Sequence, residues 1–107
     1  MATIEDFKKL EFKVAQIKEV TEHPNADRLY VIKVSLGETE RQVVAGIRAA
    51  YPEKEKLVGR RVVVITNLEP AVIRGVESQG MIFAASDELG ASVVGPDREV
   101  ALGSIVK

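Results

Sequence analysis

A chain of 107 residues has room for one hydrophobic core and is too short for two, so a single domain spanning 1–107 is expected. Its 46% hydrophobic and 29% charged residues fit a folded globular protein rather than a disordered one, and the lack of cysteine excludes disulfide staples, thiolate nucleophiles and cysteine-ligated metals. The net charge of −1 hides an uneven spread: seven Lys/Arg stand against three Asp/Glu in residues 41–74 (+4), with −2 before them and −3 after, so a locally positive face on a mildly acidic body is open to polyanions.

The N-terminal Met1–Asp6 has no basic region followed by an apolar run, and no segment reaches the length of a membrane span, which makes a cytoplasmic location the expectation. Thr3 is placed to cap a short helix, Glu5 and Asp6 suit its positive end, and Ile4, Phe7 and Leu10 share a face that would form a lid. From Phe12 the period becomes two, with a slip of phase between Val14 and Gln16 that a β-bulge would explain. His23-Pro24-Asn25-Ala26-Asp27 ends this strand, because Pro24 bars His23 from the helical region and Asn25 and Asp27 favour turns.

Leu29–Ser35 alternates as a second strand, with Tyr30, Ile32 and Val34 on one face and Lys33 on the other. A hairpin loop at 36–40 leads to a third strand, Arg41–Ile47, and Pro52 to Gly59 reads as a short helix. Val62-Val63-Val64-Ile65 marks a fourth strand buried on both faces. After a turn at 67–70, the stretch Val72–Gly80 forms a basic turn and a polar Ser-Gln-Gly corner, and Met81–Ala85 is the fifth strand. The tail holds further short strands separated by Gly95-Pro96-Asp97. Five antiparallel strands with a helix between the third and fourth describe an all-β OB-type Greek-key barrel; a sandwich would need about seven strands.

Little in the chain suggests catalysis. The glycines lack the strand-loop-helix setting of a phosphate-binding loop, and Ser78 has neither a nearby base nor a Gly-x-Ser-x-Gly frame. The carboxylate pairs Glu53/Glu55 and Asp87/Glu88 sit in polar surroundings that leave them solvated. One histidine falls short of a metal's ligand set, so neither metal nor cofactor is expected, and His23 reads as a turn residue. Binding is the better reading. OB folds bind on strands two and three and on the loops between strands one and two and between four and five, which here hold Asn25, Lys33, Arg41, Arg74, Ser78 and Met81. With only three Phe and two Tyr, stacking platforms are scarce, which favours a folded RNA recognised by shape and backbone over non-specific single strands.

His23-Pro24-Asn25-Ala26-Asp27-Arg28-Leu29-Tyr30, Val43-Val44-Ala45-Gly46-Ile47 and Arg74-Gly75-Val76-Glu77-Ser78-Gln79-Gly80-Met81 together resemble the tRNA-binding domain found at the C-terminus of methionyl-tRNA synthetases and as free-standing dimeric proteins. The resemblance runs from about Asp6 to Val106. It implies an OB fold, tRNA as partner, a homodimer built through the C-terminal segment 86–107, and a helper role beside a methionyl-tRNA synthetase catalytic chain. It carries over Ser78 and Met81 as contact candidates, with Lys33, Arg41 and Arg74 as basic companions. The alternative reading is a secretion-chaperone-like OB-fold dimer that binds peptides or unfolded proteins, a related group without the His-Pro-Asn-Ala-Asp loop.

Overall fold

In the computed structural model, which describes all residues from Met1 to Lys107, Thr3 caps a five-residue helix, α1 (Ile4–Lys8). The Thr3 hydroxyl accepts the Asp6 N–H and the Asp6 carboxylate accepts the Thr3 N–H, so two donors left open by the first turn are satisfied reciprocally. The expected lid is incomplete. Phe7 stacks on Phe12 with ring centroids 5.1 Å apart, yet Ile4, Phe7 and Leu10 all stay exposed.

The strands follow as β1 (Phe12–Glu22), β2 (Tyr30–Ser35), β3 (Glu40–Ala45), β4 (Arg61–Ile65), β5 (Ala71–Ile73), β6 (Val76–Ser78), β7 (Met81–Ile82), β8 (Ala84–Asp87), β9 (Gly90–Val93) and β10 (Ile105–Val106). The main sheet runs β3-β2-β1-β4-β7, with β10 added alongside β1. These five antiparallel strands coil into the OB-type barrel that the element order predicts. The alternating Tyr30, Ile32 and Val34 point into a single core with Ala15, Ile17, Val62 and Val64.

The phase slip in β1 has a different cause from the one expected. Pairing with β4 is unbroken from Phe12 to Gln16, and the register shifts later, between Ile17 and Glu19. Phe12 and Val14 are buried on the outer face, because the tail covers it: the Val14 N–H donates to Ser104 O at 2.9 Å, and β10 pairs with Phe12 and Lys13. The bulge at Lys18 arises where β1 meets the chain before β4, as Ile17 donates to Arg60 O and accepts from the Gly59 N–H.

Two other elements differ from the sequence reading. The helix after Pro52 is a single 3-10 turn, Lys54–Leu57, with Leu57 fully buried as a plug; Gly59, at φ +94°, reverses the chain immediately after it. The fifth strand splits at Phe83, whose N–H donates to Val63 O and whose carbonyl accepts the Val94 N–H. Beyond it β8 leaves the barrel to pair only with β9.

At the barrel end near α1, the Thr66 hydroxyl donates to the Glu11 carboxylate, and this bond, helped by the ammonium of Lys13 at 3.7 Å and the field of Arg41, holds the Glu11 carboxyl below its ordinary range despite some desolvation. A carboxyl whose pKa is lower folded than unfolded adds stability above its unfolded pKa and loses it as pH falls through the folded value. Glu11→Gln is therefore expected to be less stable than the parent at neutral pH and to match it in acid. Denaturant midpoints at both pH values check this, and a gap independent of pH would contradict it.

Candidate nucleic-acid interface

The stretch expected as a basic turn is a β-hairpin. Ile73 pairs with Val76, which leaves Arg74 and Gly75 as a two-residue loop at φ +53° and +91°. Positive φ at both central positions matches the twist of the flanking strands. Gly75 takes that conformation freely, but Arg74 is the only non-glycine residue in the chain with positive φ, a state disfavoured by about 1 kcal/mol or more for a residue with a Cβ.

The loop after β1 folds onto this hairpin. Buried His23 donates from Nε2 to Ile73 O at 2.9 Å, while its Nδ1 accepts the Asn25 N–H at 2.9 Å. A carbonyl can only accept and an amide N–H can only donate, so the ring is neutral with its proton on Nε2. Asn25 then bonds Arg74 in both directions: Nδ2 donates to Arg74 O, and Arg74 Nη2 donates to Asn25 O, each at 3.3 Å. The structure thus joins Asn25 and Arg74, two of the expected site residues, in one exposed rim.

At its base the hairpin closes the barrel. β3 and β7 do not pair directly, and the Ser-Gln-Gly corner bridges them instead. Ser78 Oγ accepts the Val44 N–H at 2.9 Å and donates to Gly80 O at 3.0 Å; the Gln79 N–H donates to Gln42 O at 2.7 Å, and Gln79 Oε1 accepts the Gln42 N–H at 3.0 Å. Ser78 is 4% exposed, and its hydroxyl bonds within the protein. Of the expected site residues, Ser78 thus holds the corner between β3 and β7 from inside the fold. Gly80 has to be glycine, since a Cβ there would lie 2.6 Å from Ile65 O.

Arg41 and Lys33 flank this closure. Arg41 is half-buried and donates from Nη1 to Thr66 O and Gln79 O, which leaves it part of the corner's frame, whereas Lys33 on the outer face of β2 is exposed. Both line a polar cavity of about 270 Å³ with Gln42, Gln79 and the carboxylates Glu40 and Glu77. Met81 is 46% exposed and opens onto a separate groove of about 510 Å³, lined largely by apolar residues such as Val44, Ile47, Ile82 and Phe83.

The basic middle third does not form one free patch. Arg48 and Lys54 both pair with Glu22, Lys56 pairs with Glu53 and Arg61 with Glu99, which leaves Arg41, Arg60 and Arg74 of that segment without a carboxylate partner. Arg60 lies over the Tyr51 ring at 5.8 Å, whereas Arg74 stands exposed at the hairpin tip beside Asn25. Sequence reasoning did not identify His23 as the tether or Gln42 as the closure partner. The Arg-Gly pair between β-branched residues was the available hairpin signal.

Residues 12–105 match the family model described as "Putative tRNA binding domain". Among curated proteins, the methionine–tRNA ligase of Thermococcus kodakarensis is 50% identical over 105 residues, and that of Nanoarchaeum equitans 46% over 102, covering 98% and 95% of this chain. The chain spans only 14% and 13% of those two proteins. Among solved structures, a MetRS-related protein from Pyrococcus horikoshii superposes with a TM-score of 0.89 at 31% identity, covering 100% of this chain and 98% of its own. The CsaA chaperone protein from Picrophilus torridus does so with a TM-score of 0.92 at 25% identity, covering all of both chains. The chain belongs to the tRNA-binding domain family.

Proposed function

We propose that this domain binds tRNA by its folded shape and backbone, without catalysing a reaction on it, and thereby lends tRNA affinity to a methionyl-type synthetase as a domain, a subunit or a free-standing dimer. The observation that carries this reading is the family match over residues 12–105. The exposed rim of Asn25 and Arg74 supports phosphate contact, with Lys33 on the adjoining face and Met81 at an apolar groove suited to an unpaired base. Arg41 and Ser78 act from behind, by fixing the corner that carries these groups. The engagement of both His23 nitrogens and of the Ser78 hydroxyl in internal bonds supports a binding role over a catalytic one. A chaperone-like role in binding peptides or unfolded proteins is less favoured, because the synthetase relatives are more similar in sequence than the chaperone neighbour.

Labelled tRNA should be displaced by unlabelled tRNA at far lower concentration than by an unstructured RNA of equal length. Equal competition would contradict recognition by shape.

The homodimer belongs to the same proposal. Phe7, Leu10, Val94 and Ile105 are exposed apolar side chains on α1, on the turn after it and on the tail, and a groove of about 610 Å³ lies between the tail and the outer face of β1 and β4. A cytoplasmic setting is part of the proposal by likeness to the synthetase relatives. No helix is long and apolar enough to cross a membrane. Sedimentation at micromolar concentration should give twice the chain mass, and a species of 11.7 kDa alone would contradict the dimer.

A further inference from the structure

We infer that His23 is a positioning residue for tRNA binding, acting through Arg74. This rests on the reading above. An arginine stands at φ +53° in a turn where asparagine or glycine would sit with less strain. Local folding therefore does not explain the residue, but an outward guanidinium does. A two-residue tip on a short hairpin would otherwise swing freely, and a mobile guanidinium loses entropy on meeting a phosphate. Three contacts remove that freedom. The His23 Nε2–H holds Ile73 O, directly before the tip; Asn25 Nδ2 holds Arg74 O; and Asn25 O takes one Nη2 hydrogen of Arg74. The other guanidinium hydrogens have no partner within the chain, and the residue is exposed with no carboxylate partner. His23 anchors the set, because its Nδ1 also accepts the Asn25 N–H and so fixes the residue that grips Arg74. One buried imidazole thus orders the loop after β1 and the β5–β6 hairpin together.

The two bonds separate by substitution. Gln at position 23 offers an Nε2 donor toward Ile73 O, whereas Asn offers an acceptor for the Asn25 N–H but does not reach Ile73. The experiment is a double-mutant cycle in the full chain with labelled tRNA, reading affinity and the slope of log affinity against log salt. His23→Ala and His23→Asn should each weaken binding about tenfold, as loss of one charge-assisted contact does. They should lower the salt slope by roughly 0.7–0.9, the value for one phosphate, as Arg74→Ala does. His23→Gln, which keeps the donor to Ile73 O and gives up only the Asn25 bond, should recover most of both, and His23→Ala with Arg74→Ala should bind no more weakly than Arg74→Ala alone. His23→Asn keeps the turn bond and serves for the cycle if His23→Ala does not fold. Losses that add in the double variant, or an unchanged salt slope in a folded His23 variant, would overturn the inference. Absence of tRNA binding by the unsubstituted chain would instead overturn the underlying reading.

Discussion

Replacing Gly80 by alanine is expected to destabilise the domain by about 2–4 kcal/mol, the sum of overpacking and backbone strain. The new Cβ would lie 2.6 Å from the carbonyl oxygen of Ile65, a backbone atom of β4 that cannot move aside without breaking its pairing to β1 and β7. Gly80 also sits between Ser78 and Met81, so relieving the clash would pull Ser78 Oγ off the Val44 N–H and reopen the seam between β3 and β7. Thermal unfolding should shift down by on the order of 10–20 °C for a domain of this size. Ser78→Ala should cost less, about 1–3 kcal/mol, because it leaves one buried N–H without an acceptor. A Gly80→Ala variant as stable as the parent would mean that the seam does not hold the barrel closed.

Arg74→Asn is expected to separate stability from function. Asparagine tolerates the left-handed conformation and precedes Gly75 in a favoured hairpin pair, so stability should hold or rise by up to about 1 kcal/mol. Affinity for tRNA should fall about tenfold with the loss of a charge-assisted phosphate contact. Thermal denaturation and tRNA titration of the same preparation test both halves. A variant that loses stability, or keeps full affinity, would remove the reason for placing an arginine at a strained turn.

The barrel was legible in the sequence wherever a strand buries one face. Tyr30, Ile32 and Val34 alternate because only one side of β2 meets the core, and the continuous run Val62–Ile65 reads as buried on both sides because the tail covers the outer face of β4. That same covering misled the reading of β1, where Val14 and Ala15 are both buried for different reasons: Ala15 faces the core, and Val14 faces the returning tail. Local periodicity cannot distinguish a second covering layer from a bulge, since both place two apolar residues side by side.

The exposure of most candidate residues was legible in the sequence, and their places in the hydrogen-bonded frame were less so. Asn25, Arg74 and Lys33 lie on exposed surfaces as expected, but Ser78 is buried. A serine in a Ser-Gln-Gly corner reads the same whether its hydroxyl meets a ligand or a neighbouring strand, and only the pairing of Val44 with Ser78 across 34 residues distinguishes them. The +4 of the middle third likewise counted charges whose partners, Glu22 and Glu99, lie in the acidic outer thirds. Charge summed along the chain overstates the free surface charge when folding brings opposite signs together.

The proposed holding of tRNA through phosphate contacts centred on Arg74 is tested by an equilibrium titration of tRNA at several salt concentrations with the unsubstituted protein and with Arg74→Asn. Binding should be measurable at low salt and weaken linearly on a log–log scale as salt rises, and the Arg74→Asn line should be shallower by roughly 0.7–0.9, the slope of one phosphate contact. No binding at low salt, or an affinity indifferent to salt, would contradict the account.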